Sequence, residues 1–256
     1  MTDRKTGGRG QPQIITVALQ KGGTGKSTTA AVLAQAAAYR GKRALAIDMD
    51  PQGNLSFALG ADMQARGCYE LLEGGDPADL IQTTGQGVDV IPASWNLSTI
   101  SSARGSARRL QKALQPIKDN YDLILIDTPA TAGELQYNAL QAATGLIIPL
   151  QANTYNIQSL YQITDTARQF QGSNPALQIT GYILTMYDAR TTIARQMALA
   201  IDQTAQEIGV PYLGTIRRGV AIQEAATLQQ SLFEYAPKSK PATDYLELYD
   251  LITERG

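Results

Sequence analysis

Two lysines, Lys21 and Lys26, share the glycine-rich stretch QKGGTGKSTT at residues 20–29. Gly22, Gly23 and Gly25 leave the backbone free to wrap its N–H groups around phosphate oxygens, at the positive end of whatever helix follows. In such a loop the Lys26 ammonium serves the β- and γ-phosphates of a nucleotide, and the Ser27 hydroxyl serves Mg²⁺. Thr24 lies inside the loop, and Thr28 can bond the α-phosphate. One lysine suffices for that chemistry, so Lys21 needs its own explanation. The spacing G-x-x-x-x-G-K-[ST] also fails at its first position, which is Gln20 here. The bland alternative, a glycine turn with incidental lysines, fits poorly with a β-rich run before the loop and a helical run after it.

Carboxylates follow at two strand ends. Asp48 and Asp50 close the run RALAIDMD (43–50), two residues apart and so on one face of an extended chain. The stretch YDLILIDTPAT (121–131) is a buried-type strand ending in Asp127, the arrangement that holds a water ligand of Mg²⁺ in phosphoryl-transfer sites. Read structurally, Asp48 and Asp50 cap a strand and Pro51 with Gly53 makes the turn; Asp122 is a solvated strand start.

The elements that must position these groups alternate along the chain. Strand-like runs fall at 13–19, 43–48, 88–93, 121–127, 145–151, 177–187 and 211–216. Helical stretches fall at 26–40, 103–118, 134–143, 157–171, 191–208, 219–230 and 242–254. That pattern predicts an α/β fold on a mostly parallel sheet. The 256 residues are 43% hydrophobic, enough for one core, and we read 13–256 as one domain behind a flexible basic lead of residues 1–12 carrying Arg4, Lys5 and Arg9. Formal net charge is −1, so no overall basicity advertises a polyanion partner. The sequence has no histidine and one cysteine, Cys68. Disulfide frameworks, Cys/His zinc sites and histidine catalysis are thereby excluded. No run approaches the roughly 18 apolar residues of a membrane span, and the reading is cytoplasmic.

The string KGGTGKST resembles the deviant Walker A motif of the ParA/MinD group of P-loop ATPases. That resemblance implies a single-domain P-loop NTPase with a mostly parallel twisted sheet, helices on both faces, and ATP with Mg²⁺ as cofactors. It assigns Lys21 to the triphosphate of the partner in an ATP-bound homodimer, while Lys26 serves its own. DMDPQGN resembles the group's second motif, which implies that Asp50 orients the attacking water and that Asp48 supports the metal shell of Ser27 and Asp127. Thr128-Pro129-Ala130 keeps most of the Thr-Pro-Pro that follows the aspartate in the group. Residues 133–163, 183–197 and 216–248 extend the likeness over nearly the whole chain, to the small Soj-type members without an N-terminal helix-turn-helix domain.

That likeness implies non-specific DNA binding by the ATP dimer, a ParB-like centromere-binding partner that stimulates slow hydrolysis, and a nucleoid-associated place in the cytoplasm. The positions matching the DNA-binding face are Arg190 and Arg218, with Lys238, Lys240 and the neighbouring Arg195. Arg217 stands where relatives carry a proline near the adenine, so base recognition differs here. Ala221 replaces a second arginine of the family, so DNA binding is either weaker here or rests on Arg217 instead. Arg104, Arg108 and Lys112 form a stripe read as a solvated helix face. The alternative is a MinD-like or other ParA-like ATPase that positions a protein assembly or membrane-associated cargo, but the terminus YLELYDLITERG is too acidic for an anionic bilayer. Cys68 alone excludes a bridged iron–sulfur cluster, the scattered tyrosines do not resemble a kinase tail, and nothing marks a synthetase's second substrate site.

Overall fold

Along the central strands, successive side chains feed two separate cores. In the computed structural model, which describes residues 12–100, 106–153 and 155–254, Ala44 and Ala46 face one side of the sheet while Leu45 and Ile47 face the other. Leu123 and Leu125 alternate with Ile124 and Ile126 in the same way. Strands buried on both faces read as continuous apolar runs, as expected for a parallel sheet covered by helices on both sides.

Eight strands form one sheet: β1 (Gln13–Val17), β2 (Ala44–Asp48), β3 (Gln82–Thr83), β4 (Asp89–Ile91), β5 (Leu123–Asp127), β6 (Gly145–Leu150), β7 (Gln178–Tyr187) and β8 (Tyr212–Arg217). Their order is β3-β4-β2-β5-β1-β6-β7-β8, and only the two-residue β3 runs antiparallel. The helices are α1 (Lys26–Tyr39), α2 (Asn54–Leu59), α3 (Cys68–Leu72), α4 (Arg109–Leu114), α5 (Glu134–Ala142), α6 (Tyr155–Gln171), α7 (Thr192–Glu207), α8 (Ala221–Thr227), α9 (Leu232–Tyr235) and α10 (Lys240–Glu254). The α1, α8, α9 and α10 helices share the core with Ala44 and Leu123, whereas α3, α4 and α5 cover Leu45 and Ile124. A third cluster joins α6 and α7 to Leu146, Ile148 and Leu184. The predicted fold class is therefore the observed one.

The departures have local causes. The small, alanine-rich α1 is buried nearly all round and lies against Ala44 and Ala46, which lets helix and sheet approach closely. The expected helix 219–230 ends at Thr227 because Gln229 turns left-handed, with φ 52°. The expected helix 103–118 is reduced to α4 with single turns at Ser106–Arg108 and Lys118–Asn120, and Arg104 lies outside the described residues. Arg108 and Lys112 are exposed, as read. The short α2, α3, α9 and β3 carry too few residues for a periodicity to register. Of the basic lead, only Pro12 is described.

Strand β7 carries a positional glycine. Gly181 sits at φ +150° where the β6–β7 register shifts, and a Cβ there would lie 2.4 Å from the Pro211 carbonyl and 2.7 Å from Leu213 Cγ. The same carbonyl accepts the Tyr182 N–H at 2.8 Å, so the collision would break the start of β8 pairing. Gly181→Ala should cost about 2–4 kcal/mol of stability, read as a lower urea midpoint at unchanged slope.

Candidate nucleotide site and basic face

Strands β1, β2 and β5 end level with one another: Val17 and Asp48 both stand opposite Asp127. The phosphate loop leaves β1 at this edge and α1 starts directly behind it. Gly25 caps α1 at φ 88°, ψ 24°, a left-handed conformation, and a Cβ there would meet nothing closer than 3.7 Å. Backbone conformation rather than space demands the glycine.

Side chains from distant segments hold the loop open. The Thr185 hydroxyl lies 2.7 Å from the Thr24 carbonyl and 3.2 Å from that of Leu150, tying loop, β6 and β7 together. Gln151 donates from Nε2 to the Gly23 carbonyl at 2.6 Å. Gln20, the residue in place of the usual glycine, reaches Gln136 Oε1 at 3.2 Å and Thr166 Oγ1 at 3.4 Å, anchoring the loop's start to α5 and α6. The two lysines part company. Lys26 Nζ donates to the Lys21 carbonyl at 2.8 Å, whereas Lys21 Nζ donates to Asn153 Oδ1 at 2.9 Å.

In front of the loop lies a cavity of about 480 Å³, in the size range of small-molecule sites. Gly22 to Thr28, Asp50, Gln52 and Asn54 line it, with Val32, Phe57, Ile222, Ala225 and Leu232 supplying an apolar wall. Met186 also lines it, in a left-handed conformation at φ 51° and 47% exposed. Every predicted nucleotide-binding residue but Lys21 thus borders one cavity; Lys21 stands at the loop's entrance on Asn153. Thr185, Gln151, Asn153 and Met186 were missed as site residues. Thr185 and Met186 lie inside the stretch 183–197 already noted for its likeness, but nothing in spacing or composition marks them as loop supports.

The three aspartates differ in what occupies them. Asp48 is fully buried; its Oδ2 accepts the N–H and hydroxyl of Ser56 at 2.8 and 2.6 Å, and its Oδ1 accepts the Asp50 N–H at 3.1 Å. Its contacts organise the turn bearing Asp50 and the start of α2, which the sequence reading did not foresee. Asp50 borders the cavity, with Oδ1 accepting the Gln52 N–H at 3.0 Å. Asp127 accepts the Thr128 N–H on Oδ1 at 3.0 Å, while its buried Oδ2 has no hydrogen-bond partner among the described residues. The Ser27 hydroxyl is near enough to favour the Asp127 carboxylate, as is the Lys26 ammonium. A buried carboxylate oxygen without a donor, beside a hydroxyl, suits a hard cation, whose charge favours the ionised form. Ser27 and Asp127 would hold Mg²⁺ there with Asp48 behind them, and the ion would supply positive charge against the phosphates.

A second depression, of about 750 Å³, gathers Arg190, Arg217, Arg218 and Lys240 with Asp188, Asp244 and Glu247. Two of these arginines are committed within the chain. Arg217 donates its backbone N–H and Nε to the buried Asp244 at 2.8 and 3.0 Å, and Arg190 pairs with Asp188 through Nε and Nη2 at 2.9 and 2.7 Å. Arg195 lies in a neighbouring groove, where it donates to the Ala189 carbonyl at 2.7 Å. Lys238 is exposed and does not line the depression. Ala221 opens α8.

Fold and site together define a P-loop nucleotide-binding protein with a second lysine at the loop. Residues 12–179 match the family described as AAA domain. The chain is 37% identical over 253 residues to the sporulation initiation inhibitor protein Soj of Bacillus subtilis, covering 95% of this chain and 99% of the relative. It is 36% identical to the chromosome-partitioning ATPase Soj of Thermus thermophilus, covering 96% and 98%. A structure of cobyrinic acid a,c-diamide synthase from Mycobacterium smegmatis with ADP and magnesium matches at a TM-score of 0.80, 32% identity and 93% of each chain. The chain belongs to the ParA/Soj family of P-loop ATPases.

Burial raises the pKa of both strand-end carboxylates, Asp48 to about 6 and Asp127 well above the usual range, with the Asp48 charge adding to the rise at Asp127. The folded chain therefore keeps protons that the unfolded chain releases near pH 4. The stability linked to Asp48 is fully present below that pH and is lost as pH rises through about 6, and that linked to Asp127 is lost over a range that reaches higher. Without nucleotide, Asp48 alone should lower the unfolding free energy by on the order of 1 kcal/mol between pH 5 and pH 7, and Asp127 should deepen that fall. Asp127→Asn should flatten that fall, and so should Mg²⁺ with ADP on the unaltered chain, both read from urea midpoints at the two pH values.

Proposed function

We propose that the chain is an ATP-dependent partition ATPase that moves DNA. ATP held at Gly22 to Thr28 favours a homodimer in which Lys21 of each copy reaches the other copy's triphosphate. The dimer binds DNA without sequence preference, and hydrolysis, stimulated by a ParB-like partner, releases it. Lys26 neutralises charge on the phosphates of its own nucleotide, and Asp50 orients the attacking water. Such a protein works in the cytoplasm on the nucleoid.

One observation carries this reading. A single segment, 217–222, borders both depressions: Arg217 and Arg218 line the basic one and Ile222 lines the nucleotide cavity. Nucleotide state can thus reach the basic face through six residues. With Arg217 held on the buried Asp244, Arg218, Lys240 and the exposed Arg190 are the strongest candidates for backbone phosphate, and Lys238 lies two residues from Lys240. A membrane role finds less support. No described helix is long and apolar enough to cross a bilayer, and α10 spends Tyr245, Leu248, Tyr249 and Ile252 on the core.

Binding to random-sequence duplex DNA should appear with a slowly hydrolysed ATP analogue and not with ADP. Each phosphate contact should steepen the log–log salt dependence by about 0.9, so that Arg218→Ala lowers the slope by about one such contact per subunit. Salt-independent or ADP-equal binding would count against the reading. Asp50→Ala should slow ATP turnover by roughly 100-fold while the ATP-loaded chain stays on DNA; turnover left intact would remove Asp50 from the water.

A further inference from the structure

The turn after β6 holds the phosphate loop at two points, and the second is the lysine that sets this loop apart. Gln151 takes the Gly23 carbonyl at 2.6 Å, and Asn153 takes the Lys21 ammonium at 2.9 Å. The turn is itself braced. Asn153 donates its backbone N–H to the Gln151 carbonyl at 2.8 Å, Asn156 Nδ2 donates to the same carbonyl at 2.6 Å, and Asn153 Nδ2 reaches Gln151 Oε1 at 3.3 Å. Asn153 Oδ1 is thus presented from a fixed frame. Gln20, one residue before Lys21, is pinned to α5 and α6, so the backbone that launches the lysine is fixed as well.

From this geometry we infer that Asn153 is a positioning residue for Lys21: it holds the ammonium on its own chain until the triphosphate of a second copy displaces it. The inference rests on the reading that Lys21 acts across the dimer. Its new content is the competitor, a side-chain amide oxygen outside the loop, and the direction of the competition.

The chemistry of the holder matters. An ammonium in a partly desolvated loop mouth needs an acceptor, since burial there already disfavours its charge. A neutral amide oxygen accepts from it in the single chain but is a poorer acceptor than a phosphate oxygen, which adds full charge to the hydrogen bond. Lys21 therefore exchanges from amide to phosphate when a nucleotide-loaded copy arrives, and returns when the γ-phosphate leaves. Lys26 follows the same logic on the Lys21 carbonyl, also a neutral oxygen. A carboxylate at position 153 would compete with phosphate on equal terms and keep the lysine at home.

The test measures dimerisation by sedimentation velocity with a slowly hydrolysed ATP analogue, divided by the analogue's affinity for the single chain. Asn153→Ala should tighten the dimer by about threefold to tenfold, because the trans contact no longer has to displace a hydrogen bond to a charged group. Asn153→Asp should weaken it by at least as much, and more strongly at low salt. In a Lys21→Ala background both substitutions should lose their effect. Shifts in the same direction for alanine and aspartate, or effects that persist without Lys21, overturn the positioning role alone. A Lys21→Ala chain that dimerises normally overturns the trans reading itself, and the positioning role with it.

Discussion

Two carboxylates at the ends of adjacent strands, opposite each other in register and sealed from water, set the terms for the rest of this structure. Asp48 and Asp127 are both 0% exposed, and bringing two such charges together is unfavourable unless donors or cations answer them. Asp48 is answered internally, by Ser56 and by the Asp50 N–H, and in being answered it shapes the turn that presents Asp50 to the cavity. Asp127 is answered only in part, by Thr128, with the Ser27 hydroxyl and Lys26 ammonium on its open side. The phosphate loop and the start of α1 are thus tied electrostatically to β5. A site that keeps one buried carboxylate oxygen unpaired costs the fold stability and is useful for binding a cation.

Legibility from sequence follows the same division between local and distant causes. The loop, α1, the seven longer strand runs and the aspartates were readable because their chemistry lies in contiguous residues with a fixed spacing. Gly25 in its left-handed cap and Lys26 behind it need no tertiary information. Thr185, Gln151 and Asn153 act through contacts 128–161 positions away, where no spacing rule reaches. Asp48 was readable as a site carboxylate, but its duty to Ser56 was not, because α2 is six residues long and carries no periodicity. Arg217 shows the limit from the other side. Its sequence neighbourhood offers it for DNA or for the adenine, and only the fold reveals Asp244 beneath it.

That pair bears on how the two depressions are joined. Asp244 belongs to α10, which packs on β8 and α1 and contributes Tyr245, whose hydroxyl lies 3.2 Å from Thr29 Oγ1 in the first turn of α1. One helix therefore touches the strand end that carries Arg217 and Arg218 and the helix that carries Lys26. A rigid brace of this kind keeps the basic depression and the phosphate loop in fixed relation, while the 217–222 segment between them has only a short stretch to adjust. Coupling needs such an arrangement: two sites, a frame that does not yield, and one segment that both sites touch.

The acceptors chosen for the two lysines complete the argument. The Lys26 ammonium could have been held by a carboxylate, since Asp50 and Asp127 both act on it. Instead each donates to a neutral oxygen, Lys26 to a loop carbonyl and Lys21 to an amide. Ion pairs would stabilise the empty loop and would have to be broken whenever phosphate arrived. Neutral acceptors keep the loop ordered without competing strongly for its charge, so phosphate binding gains the full difference between the two kinds of hydrogen bond. A loop built this way is preorganised in shape and left unsatisfied in charge, which is the combination a reversible triphosphate site requires.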